Sequence, residues 1–165
     1  MEPSTIPAFL CFDVEPDGFQ LDRSDPPSWA GYEASVTYAT RLRTDLLDQT
    51  SRLPRFGWYV RTDRQIADVH GRADHALVAF PRCVDRIRAA GDYWGVHAQP
   101  LHWDGARGQW VRDFSDGGWQ GSATRFALEA FGEWAGTPVR RFRAGAAFLS
   151  NRIVEAAERA GVWWT

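Results

Sequence analysis

Four apolar runs, each ending in polar residues spaced two apart, most constrain what this 165-residue chain can fold into. They are Pro7–Glu15, Arg55–Arg61, Asp92–Gln99 and Pro138–Ala144, and a fifth begins at Val162–Thr165. Between them lie stretches with helical spacing of apolar residues. Glu33–Thr50 has Val36, Ala39, Leu42, Leu46 and Leu47; Asp74–Ala90 has Leu77, Phe80, Val84 and Ile87, stopped by Gly91. Ser122–Gly136 has Phe126, Ala127, Ala130, Phe131 and Trp134 behind a Ser cap, and Asn151–Gly161 has Ile153, Val154, Ala157 and Ala160. Pro16–Gly31, Asp63–Ala73 and Pro100–Gly121 read as loops. This alternation predicts an α/β fold of consecutive parallel βα units with right-handed crossovers, in one domain over residues 1–165. A doubly wound sheet and a partial (β/α) barrel both satisfy it, and in both the chemistry sits at the C-terminal ends of the strands.

Composition removes several classes of function. The 19 basic residues are all arginine. Without lysine there is no phosphate-loop Lys, no Schiff base and no kinase-type phosphate contact. A net charge of −2 argues against nucleic acid as a partner. No apolar run reaches the roughly 18 residues of a membrane span. No basic, apolar and small-residue leader is visible, so a cytoplasmic location is expected. Cys11 and Cys83 make no disulfide framework and read as buried thiols. Nine tryptophans read first as core, although indole faces also suit the apolar faces of sugars.

The strand ends carry the chemistry. Asp13 and Glu15 close the first run, and a period of two puts both carboxylates on one face, as a base and a metal ligand require. His97 and Gln99 share a face at the third, with His102 in the loop beyond, and these are ligand types for Zn²⁺ or another divalent ion. Arg143 ends the fourth run, where it can hold a carboxylate or bind an anion, and Arg61 and Asp63 end the second. His70 and His75 read as surface residues or caps.

The ordered segments CFDVEPD, FGWYVRTD, GDYWGVHAQPLHWD and RFRAGAAFLSNRIVEAAERAGV resemble the polysaccharide deacetylase family. The resemblance spans Phe9–Trp164 and implies a distorted, incomplete (β/α) barrel. It implies a metal-dependent hydrolase that removes N-acetyl groups from a carbohydrate, with Asp13 as base, Arg143 orienting it, and Glu15, His97 and His102 on a divalent metal, Zn²⁺ by expectation. Arg61 and Trp103 are the expected substrate contacts. Where relatives carry His-x-His or His-x-x-x-His, this chain reads His97-x-Gln99, and no histidine follows His102 to serve as a general acid. The chain stops where a fifth strand starts, so the domain is expected to be incomplete, a poor catalyst alone and open to self-association through uncovered edge strands. The alternative is a non-catalytic carbohydrate-binding or regulatory remnant. A haloacid-dehalogenase-like phosphatase would need a Lys, and a glycosidase would need its carboxylates further apart than one strand places them.

Overall fold

A computed structural model describes residues 8–18 and 21–162. Its main sheet has β1 (Cys11–Val14), β2 (Gly57–Arg61), β3 (Tyr93–Ala98) and β6 (Phe142–Ala144), all parallel and in the order β1-β2-β3-β6. The helices are α1 (Ala30–Thr50), α2 (Arg64–His70), α3 (His75–Ala79), α4 (Pro81–Ala89), α5 (Gly117–Ala135) and α6 (Asn151–Arg159). The expected α/β architecture of strands alternating with helices is therefore present. No helix among the described residues is long and apolar enough to cross a membrane.

The strand order runs one way without reversal. With right-handed crossovers, such an order sends every connecting helix to the same side of the sheet. The core agrees. Strand residues of one parity (Phe12, Val14, Trp58, Val60, Val96 and Ala98) cluster with Val36 and Ala39 of α1, Val84 and Ile87 of α4, Leu128 and Phe131 of α5 and Ala157 of α6. Phe12 stacks on Trp58 at 4.5 Å, and the Trp58 indole donates to Asp92 at 2.9 Å. The other parity carries Cys11, Asp13, Tyr59, Arg61, Gly95, His97 and Arg143. Gly95 is required there: a Cβ would meet the Tyr59 ring at 2.7 Å.

Several local expectations are corrected. The polar stretch after Arg61 is helical, because Asp63 caps α2 by accepting from the Ile66 N–H. The single helix expected over Asp74–Ala90 is two, α3 and α4, because Pro81 cannot donate into a continuing helix and takes its first turn instead. The Pro100–Gly121 loop contains an antiparallel hairpin of β4 (Leu101–Asp104) and β5 (Gln109–Arg112), and α5 starts at Gly117 with Asp116, not Ser122, as its cap. The fourth strand is shorter than expected. Most of the expected fifth strand, Trp163 to Thr165, and Pro7 of the first lie outside the described residues. Cys83 is buried and Cys11 half-buried, both as free thiols. Trp29, Trp58 and Trp110 are core residues.

Candidate active site

The register builds the site. Arg61 is opposite His97 across β2–β3, and His97 is opposite Arg143 across β3–β6. Val14 is opposite Val60, so Glu15 follows in the line of Arg61. Period-two alternation then turns these side chains to the face without the helix-packed core, at the C-terminal ends of the strands. The contacts follow. Arg143 Nη1 lies 3.3 Å from Asp13 Oδ1. Glu15 Oε2 lies 3.9 Å from Arg61 Nη1 and 4.0 Å from His97 Nε2. Asp13, Glu15, Arg61, His97 and Arg143 are thus brought together as their spacing predicts.

Below them lies a buried polar layer in which Gln65, not singled out by the spacing, joins Asp63. Asp63, 1% exposed, accepts from Arg61 Nε at 2.8 Å and from Arg61 Nη2 at 3.1 Å. It also accepts from the Gln99 N–H at 3.1 Å, tying the end of β2 to the segment after β3. Gln65 Oε1 accepts from Arg61 Nη2 at 2.6 Å. The signal was available as Arg61-x-Asp63-x-Gln65, polar residues two apart running from a strand into a helix cap.

His102 and Trp103 lie elsewhere. Both are on β4, and His102 meets the Trp119 ring at 5.7 Å, edge to face. With Trp110, Trp119, Arg64 and Asp68 they line a groove of about 580 Å³. Arg23 stacks on Trp103 at 4.2 Å and pairs with Asp68 at 2.7 Å. His70 and His75 are not plain surface residues: their rings stack at 4.1 Å, and both pack on Trp29.

Burial pushes the His97 imidazole below its ordinary pKa, opposed by the charges of Asp13 and Glu15. The neutral ring is the form that ligates metals. Among the described residues no three His, Cys, Asp or Glu side chains are placed to hold a metal ion together, and His102 does not join Glu15 and His97. The third donor within reach is Gln99, whose amide lies 3.2 Å from His97 Nε2 and whose buried Oε1 has no partner. Exchanging the two amide atoms is a half-turn of the terminal torsion. Glu15, His97 and Gln99 thus offer one carboxylate, one imidazole and one amide, the groups here that could hold a divalent ion.

After β6 the chain turns sharply against Gln99. A Cβ on Gly145 would stand 2.5 Å from the Gln99 amide. Ala146 and Ala147 follow with φ of 56° and 52°, in a turn closed by Phe148 N–H donating to Gly145 O at 3.1 Å. Two left-handed alanines are strained backbone beside the site.

Comparison with known protein families, curated proteins and solved structures finds no match for this chain.

Proposed function

We propose that this rim hydrolyses the N-acyl group of an amino sugar, in the manner of polysaccharide deacetylases, on the opening strands of a (β/α) barrel of that type. The observation that carries the reading is one line of side chains at the strand ends: the Asp13–Arg143 pair beside Glu15, Arg61 and His97. A sheet wound in one direction, with its polar face turned from the helix-packed core, supports the barrel, because a barrel puts all its helices outside.

In this reading Arg143 holds the Asp13 carboxylate in its orientation. Asp13 takes the proton of the water that attacks the acyl carbon and returns it to the amine nitrogen as the C–N bond breaks. Glu15, His97 and Gln99 would hold the divalent ion, which when bound supplies Lewis acidity to water and acyl oxygen. The indole-walled groove beside Trp103 suits the apolar face of a sugar ring.

The test is acetate release from N-acetylglucosamine oligomers, with added Zn²⁺, Co²⁺ or Mn²⁺ and after chelation. Metal-dependent release, lost by about 10²–10⁴-fold in Asp13→Asn, is the expected result. Metal content should fall in His97→Ala; equal content in both proteins removes His97 from the centre. The Gln99 amide in place of a stronger donor favours a second reading, a carbohydrate-binding remnant. Saturable binding without acetate release under every metal condition would select it. Among the described residues β1 and β6 are the outermost strands of the sheet, and self-association through edge strands is part of the proposal. Size-exclusion chromatography with light scattering tests it, and a monomer at every concentration rejects it.

A further inference from the structure

Arg61 is an unusual cation because the fold hides it completely and still leaves part of it unused. Its side chain is 0% exposed. Asp63 takes Nε and Nη2, and Gln65 takes Nη2 again. Among the described residues Nη1 has no hydrogen-bond partner, and its ionic neighbour is Glu15 at 3.9 Å, beyond hydrogen-bond reach. Leaving a buried charged donor unmade costs about 1–3 kcal/mol or more. A purely structural pair has no reason to keep that cost. The pinned side of the guanidinium fixes where the free side points, toward the rim occupied by Glu15 and His97.

The chemistry of the missing partner follows from the surrounding charge. Asp63 already neutralises Arg61, and the Glu15 carboxylate stands beside Nη1. A free carboxylate or phosphate placed there would meet Glu15 at close range. A neutral acceptor oxygen arrives without that repulsion, and only the charge it gains during attack has to be met by Nη1. Resting on the hydrolase reading above, we infer that Arg61 Nη1 donates to the carbonyl oxygen of the substrate's acyl group and stays with that oxygen as it gains charge during attack by water. Preorganised donors aimed at a developing oxyanion are worth about 10²–10³ in kcat each. Arg61 is then a catalytic residue, and Asp63 and Gln65 are positioning residues that hold its fork in place.

The decisive measurement uses the wild-type chain and needs no turnover. The ¹⁵N side-chain resonances of Arg61 are followed while N,N′-diacetylchitobiose or its free-amine counterpart is added. A shift with the acetylated sugar and none with the amine is expected. In Arg61→Lys, which keeps a charge for Asp63 but loses the fork, kcat should fall by roughly 10²-fold with a smaller change in KM. Gln65→Leu leaves the Arg61–Asp63 pair intact and should lower kcat by less. Acetate release with Arg61 resonances blind to the acetyl group overturns this inference and leaves the hydrolase reading standing. An acetyl-dependent Arg61 shift without acetate release keeps the contact and removes the hydrolase. No binding of either sugar overturns both.

Discussion

The two faces of the sheet come from the same four strands and do opposite work. On the helix-packed face, Phe12, Val14, Trp58, Val60 and Val96 pack in the apolar core, the Trp58 indole donates to Asp92, and among the described residues the one strand donor left without a partner is Trp94 Nε1. On the other face and in the segments that follow its strands, polar groups are packed without full satisfaction: among the described residues Arg61 Nη1, Gln65 Nε2, His97 Nδ1 and Gln99 Oε1 are all buried without partners. Closely packed apolar contact maximises stability. Unmade hydrogen bonds reduce it and leave donors and acceptors ready for something else. The contrast teaches that stability and chemistry in this chain are divided by parity along each strand, not by region of sequence.

The comparison is sharpened most by the largest losses. Trp58→Ala, on the helix-packed face, should cost about 3–5 kcal/mol in chemical denaturation, through the cavity and the donor lost to Asp92. Asp63→Ala should cost a similar amount, about 3–5 kcal/mol, because it strands the buried Arg61 charge. If Asp63→Ala is mild, the polar layer is not an integral part of the fold and the division by parity fails.

Acid is the next lever. Burial, with the neighbouring His75 and Arg61 charges, pushes the His70 pKa from 6.5 down to about 4. The folded state therefore favours the neutral ring. That contribution is complete above pH 6.5 and is lost progressively as pH falls toward 4. The melting temperature should drop between pH 7 and 4.5, and less so in His70→Phe. An equal drop in both would clear the stacked pair of any part in it.

Smaller effects test the strained turn and the exposed rim. Ala147→Gly removes a left-handed alanine and should stabilise by about 1–2 kcal/mol, read as a raised denaturation midpoint. Arg143→Ala should change stability by about 0–1 kcal/mol, since its side chain is half exposed, while reducing acetate release far more. A loss of stability matching that of Trp58→Ala would erase the distinction between the faces.

Much of this was legible in the residues. Alternation of apolar runs with helical spacing depends on local periods of 2 and 3.6, so the succession of parallel strands, the helices α1, α5 and α6 and the row Asp13, Glu15, Arg61, His97 and Arg143 could be read directly. The hairpin also left a signal, two alternating tetrads around Asp104-Gly105 and Gly108, whose N–H donates to Asp104 O at 2.8 Å. It was masked by the glycines and tryptophans of a stretch that reads as loop. Pro81 likewise marked the break between α3 and α4.

Spacing along the chain could not choose the third donor beside His97. His102 is five residues on, but the hairpin turns it against Trp119, while Gln99 stays at the end of the strand. Nor could it show that Asp63 and Gln65 would close around Arg61, or that Nη1 would be left over. Local periodicity determines which face a side chain takes, because that depends only on backbone geometry. Which groups then meet across that face depends on register, on the direction each chain segment takes after its strand, and on burial, and those are properties of the assembled sheet.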